Sequence, residues 1–184
     1  MKRQVDYFES PGPDNTKRCL EILAELAKEG VEDFVVASTS GDTGARAAET
    51  LKGLGKNLVV VGHSVGLRGP NVDTFLPENK KKIEELGGRI LRCTILTSGL
   101  AAFFGDTHPN RVIANSLRRL GQGTKVTCEC VMEACDAGMV PEDKEVAAMA
   151  GTGRGSDTVV LIRAASSRRF LELAVLEYRA KPRG

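Results

Sequence analysis

Apolar runs of four to six residues alternate along this chain with longer stretches in which apolar positions recur every three or four residues. The first rhythm belongs to buried strands and the second to amphipathic helices, and their alternation is the βαβ signature. Asn15 to Glu29 carries Cys19, Leu20, Ile22, Leu23, Leu26 and Ala27 at helical spacing, with Gly30 as the stop. The pattern next predicts a strand over Asp33 to Ala37, a helix from Gly44 to about Leu54, and a strand over Asn57 to Gly62. After a loop from His63 to Phe75, Pro77 opens a Lys- and Glu-rich helix that stops at Gly87-Gly88. A third strand covers Arg89 to Thr94. Helices over Asn110 to Leu120 and Lys125 to Ala137 end on Gly121 and Gly138. Fourth and fifth strands are expected over Glu145 to Ala150 and Thr158 to Arg163. The tail from Phe170 to Ala180 alternates only partly, and both an added strand and a helix fit it.

The link Gly151 to Asp157 is too short for a helical crossover, so the strands on either side of it should pair antiparallel. The other strands are joined by helices and should run parallel, with helices on both faces of the sheet. The expected fold is one three-layer α/β/α domain over residues 1–184. Its sheet would be mostly parallel and five-stranded, with the last core strand antiparallel and extensions at both termini. Ligands of such sheets bind beyond the carboxyl ends of the strands. That places three loops on one edge: Ser38 to Gly44, His63 to Gly69, and Gly151 to Asp157.

The first of these loops carries the clearest chemistry. Ser38-Thr39-Ser40-Gly41-Asp42-Thr43-Gly44 joins a buried strand to an Ala-rich helix. Such a turn aims backbone N–H groups, hydroxyls and the positive end of a helix dipole at one point, which suits a phosphate. A plain N-capped turn uses the same residue types. Two hydroxyl pairs around Gly41 exceed what a cap needs. The expected ligand is therefore a phosphorylated small molecule.

Composition changes this picture little. Of 184 residues, 27% are charged and the formal net charge is +2, with both signs interleaved. Neither a nucleic-acid stripe nor a membrane-surface helix is expected. Lys80-Lys81-Lys82 reads as a solvated helix face, and Leu58-Val59-Val60-Val61 is far too short to span a bilayer. Met1 to Tyr7 lacks the apolar core of a signal peptide, so a cytoplasmic location is expected. Cys19, Cys93, Cys128, Cys130 and Cys135 are then reduced and mostly buried. Cys128, Cys130 and Cys135 lack a second ligand pair at metal-site spacing, and no metal is expected.

The order of elements, together with Ser38 to Ala45, resembles the C-terminal domain of pyruvate kinase over roughly Leu20 to Arg163. In many members of that family the equivalent turn grips a phosphate of a sugar bisphosphate. The barrel that carries the kinase chemistry has no counterpart here, so pyruvate kinase activity is not expected. The chain is more closely similar to stand-alone pyruvate kinase α/β-domain-like proteins of archaea and bacteria. The matching segments are Ser38 to Gly44, Val61-Gly62-His63, and Gly151 to Thr158. That resemblance implies flavin mononucleotide (FMN) in the crevice and leaves the activity unassigned. It implies phosphate contacts from Ser38, Thr39, Ser40, Gly41, Thr43 and Gly44. His63, Thr97, Gly153, Asp157 and Thr158 would meet the rest of the ligand. Asp42 departs from the pyruvate kinase pattern, which often has a basic residue there. It is expected to cap the following helix and point away.

Other candidates keep two readings each. His63 is either a ligand contact or a loop histidine bonded to a carbonyl. Arg154 is a further phosphate partner, and Thr97-Ser98-Gly99 is a further wall along with Phe103 and Phe104, the two phenylalanines being alternatively core or subunit contacts. His108, in the turn Gly105 to Pro109, is expected to cap a helix. No nucleophile–base pair stands out, and flavin chemistry needs none. Three functions follow: an FMN-binding protein that carries electrons or stores the flavin, a phosphometabolite sensor without catalysis that changes its assembly, and a hydrolase or transferase acting on a phosphorylated substrate with His63 as base. A homo-oligomer fits general expectation.

Overall fold

A computed structural model describes residues 3–105 and 107–183 of the chain, so Asp106 of the expected capping segment Gly105 to Pro109 lies outside the described residues. One seven-stranded sheet is ordered β1-β7-β6-β5-β2-β3-β4. Its strands are β1 (Asp6–Phe8), β2 (Asp33–Ala37), β3 (Asn57–His63), β4 (Arg89–Cys93), β5 (Glu145–Ala150), β6 (Thr158–Arg163) and β7 (Ala174–Pro182). β2, β3, β4 and β5 are mutually parallel, while β6 runs antiparallel to both β5 and β7. The helices are α1 (Thr16–Lys28), α2 (Asp42–Leu51), α3 (Pro77–Glu85), α4 (Pro109–Arg118) and α5 (Gln122–Asp136).

The central strands read as unbroken apolar runs because both faces of the sheet are covered. Phe34, Val36, Leu58, Val60, Met149 and Leu161 pack on one side against α1, α2 and Ile83 of α3. Val35, Val59, Val61, Val146, Val160 and Ile162 pack on the other side against α5. That alternation within each run is the pleat of a strand with apolar neighbours on both sides. No helix among the described residues is long and apolar enough to cross a membrane.

Two strands exceed the expected five. β1 is only three residues long and pairs in parallel with β7, too short to leave a pattern in the sequence. β7 resolves the ambiguous tail as a strand. Register shifts against β6, at Val159/Val160 and Leu161/Ile162, interrupt its face alternation, which is why the sequence alternates only partly. α2 also starts earlier than expected, at Asp42 rather than Gly44.

Candidate functional site

The carboxyl ends of β2, β3, β4 and β5 open into one crevice of about 960 Å³. Its walls come from the turn after β2 (Ser38, Thr39, Ser40), from Gly62 and His63, from Gly153 and Arg154, and from α5 (Lys125, Glu129, Glu133). The three loops expected on one edge do line one space.

The β2–α2 turn is held rigidly. Gly41 takes a left-handed conformation, φ 87°, and begins α2 as its N-cap. Ser40 O accepts from the Leu76 N–H and from Asn79 Nδ2, each at 3.0 Å, and Thr39 O accepts from the Thr74 hydroxyl at 3.4 Å. The loop 63–76 is itself folded back by Arg92, which donates to Asp73 at 2.6 Å and sits 5.0 Å over the Phe75 ring. A helix start leaves its first N–H groups without intrahelical acceptors. Ser38 Oγ accepts one of them, from Gly44 at 3.2 Å, and Ser40 Oγ accepts from Asp42 at 3.5 Å. The hydroxyls of Thr39 and Thr43 have no protein partner among the described residues, and both residues line the crevice.

Several expected contact residues have other work. Gly41 and Gly44 are packing positions: a Cβ would lie 2.6 Å from the Phe75 ring at Gly41 and 2.4 Å from Val60 at Gly44. Neither is among the crevice-lining residues. Asp157 is fully buried, and its carboxylate accepts from Gly12 N–H at 3.1 Å, Thr152 N–H at 3.0 Å and the Thr158 hydroxyl at 2.8 Å. It ties the N-terminal segment to the β5–β6 loop, and neither it nor Thr158 reaches the crevice. Asp157→Ala is expected to lower stability by about 3 kcal/mol, because it strands buried donors. Equilibrium urea unfolding checks this; a loss below about 1 kcal/mol would contradict the tether.

Thr97 is buried behind the wall, with both its hydroxyl and its N–H on Glu129. Ser98 lines the crevice while Phe103 and Phe104 are exposed outside it, with Phe104 stacked on His108. His108 Nδ1 accepts from Asn110 N–H at 3.3 Å as the N-cap of α4. Asp42 does not cap α2. It stands exposed at the helix start and lines the crevice, where its carboxylate opposes an anion.

The residues absent from the sequence reading are those of α5. That helix is buried on nearly every side, including Lys125, Glu129 and Glu133. Lys125 pairs with Glu129, with both side chains about 95% shielded. Leu96 N–H donates to Glu133 at 2.9 Å. Burial raises the Glu133 carboxyl to about 7, and Cys93 beside it is raised to about 12 chiefly by burial. His63 is lowered by burial, then by Lys125 and Arg92, so its imidazole is neutral at pH 7. The available signal was the four-residue spacing of Lys125, Glu129 and Glu133 on one helix face.

Arg68, Arg118, Lys125 and Arg154 line the crevice against four acidic side chains, Asp42, Asp73, Glu129 and Glu133, and Arg92 neutralises one of these, Asp73. Arg118 is bonded to the neutral side chains of Gln122 and Asn115 and has no acidic partner among the described residues. The electrostatic balance favours an anion. No family model matches the chain.

Proposed function

We propose that the crevice binds a phosphorylated small molecule, with FMN as the first candidate, its phosphate on the β2–α2 turn. The observation that carries this reading is the pair of unengaged hydroxyls, Thr39 and Thr43, beside the start of α2 in a crevice of positive balance. The resemblance to stand-alone pyruvate kinase C-terminal-domain-like proteins supports FMN in particular.

The residues present fit such a ligand. The volume lies at the upper end of the roughly 300–1,000 Å³ usual for small-molecule sites. Leu76, Ile95 and Val126 offer apolar contact for a ring, and Gly153 leaves open space where a side chain would stand. FMN, when bound, supplies redox chemistry of its own. The chain's part is to hold the phosphate through Thr39, Ser40 and Thr43, and to set the polarity of the crevice through His63 and α5.

Purified protein mixed with FMN and desalted should retain the flavin absorbance bands, and Ser40→Ala/Thr43→Ala should lose them. A colourless protein at saturating FMN would overturn the flavin reading. Equal retention by the double variant would remove the phosphate from this turn.

A further inference from the structure

We propose that α5 forms a second subsite of the crevice, which receives a hydrogen-bond acceptor of the phosphorylated ligand, a carbonyl oxygen or ring nitrogen, with Glu133 as the protonated donor. This rests on the phosphate-turn reading above and adds the chemistry of the ligand's other end.

The geometry begins with an imbalance of charge. Glu129 and Glu133 stand one helical turn apart on the same face of α5, both buried and both lining the crevice. One ammonium, Lys125, accompanies them, and it is paired with Glu129. Glu129 also takes the hydroxyl and N–H of Thr97, so its negative charge is well compensated. Glu133 accepts from Leu96 N–H and lies against the Cys93 thiol. No cation pairs with it among the described residues. A buried carboxylate with so little compensation holds a proton instead of a charge.

The groups facing Glu133 leave it the acid of this wall. Along α5 they are Glu129, Lys125 and Cys130, and Cys130 is buried with its thiol raised well above the ordinary range, chiefly by burial. From β4 comes Cys93, also raised and therefore neutral. His63 of β3 lines the same crevice and is lowered, so it too is neutral at pH 7. Titration near neutrality therefore belongs to Glu133, whose carboxyl is raised to about 7. Anionic charge arriving on the β2–α2 turn favours the protonated form further. A protonated Glu133 is an O–H donor, and its matching partner is a neutral acceptor.

The sign of the pH dependence follows. If the ligand needs the proton, Glu133 has a higher pKa in the complex than in the free protein. Binding is then constant below about pH 7 and weakens as pH rises through the free value, by up to tenfold per pH unit for one linked proton.

FMN and inorganic phosphate are the probes, titrated by calorimetry between pH 6.5 and 9. For FMN the wild-type Kd should rise five- to tenfold between pH 8 and 9, while Glu133→Gln, which keeps a donor but cannot ionise, should show a flat profile. Inorganic phosphate, which reaches the turn but carries no acceptor to α5, should bind the two proteins equally above pH 8. A pH-independent Kd for FMN in the wild type, or a Glu133→Gln profile that follows the wild type, overturns the subsite while leaving the phosphate turn standing. Loss of binding for both probes overturns the phosphate turn, and this subsite falls with it. His63→Gln should keep the wild-type slope; a flat profile there moves the proton to His63 and refutes the assignment to Glu133.

Discussion

Lys125→Met is expected to lower the unfolding free energy by about 3–5 kcal/mol, the usual cost of leaving one member of a buried ion pair uncompensated. The partners are among the most deeply shielded charges of the described structure, 5% and 4% exposed. Removing the ammonium leaves Glu129 with only the Thr97 hydroxyl and N–H for company, one turn from the second carboxyl of Glu133. Replacing both members, Lys125→Met with Glu129→Leu, should recover most of the loss, because no buried charge is then left unpaired. Urea unfolding of the two single variants and the double variant gives the coupling directly. A Lys125→Met loss under about 1 kcal/mol would mean that water in the crevice screens the pair.

Gly41→Ala should cost about 2–5 kcal/mol. A left-handed backbone contributes about 1–2 kcal/mol of that for a residue with a Cβ, and φ at Gly41 is 87°. Overpacking adds about 1–3 kcal/mol, since the new methyl would sit 2.6 Å from the Phe75 ring and 2.7 Å from Asn79 Cβ. Thermal unfolding checks it, and an unchanged midpoint would contradict the packing role. The result matters for reading binding data. A Gly41 variant that loses ligand has lost the shape of the turn, so Ser40 and Thr43 are the informative substitutions.

The central strands were legible because burial on both faces makes them apolar without interruption, as in Phe34-Val35-Val36 and Leu58-Val59-Val60-Val61. The convergence of the three loops followed from parallel topology alone. β1 was hidden because it is only three residues long, and the β7 segment fits both strand and helix because its register shifts against β6 break the alternation. The resemblance, through the matching segment Gly151 to Thr158, puts Asp157 on the ligand. The fold instead brings Gly12, far away in sequence, onto its carboxylate.

The α5 face shows a different limit. Lys125, Glu129 and Glu133 recur at four-residue spacing, and that spacing is the same for ion pairs on a solvated helix as for a buried face. Their burial depends on the segment after β4, where Leu96 and Thr97 bond to the two carboxylates, and on α4 packed alongside. Neither element announces its position in the pattern of apolar residues. Nor does the sequence show that Thr39 and Thr43 keep their hydroxyls unengaged, because that depends on which donors the neighbouring loop presents.

The most direct test of the phosphate turn is the affinity of FMN set against that of riboflavin, which differs only by the phosphate. FMN should bind at least 100-fold more tightly, and Ser40→Ala/Thr43→Ala should erase most of that ratio while leaving riboflavin binding unchanged. Equal affinities for the two flavins in the wild-type protein would contradict a phosphate site at the start of α2.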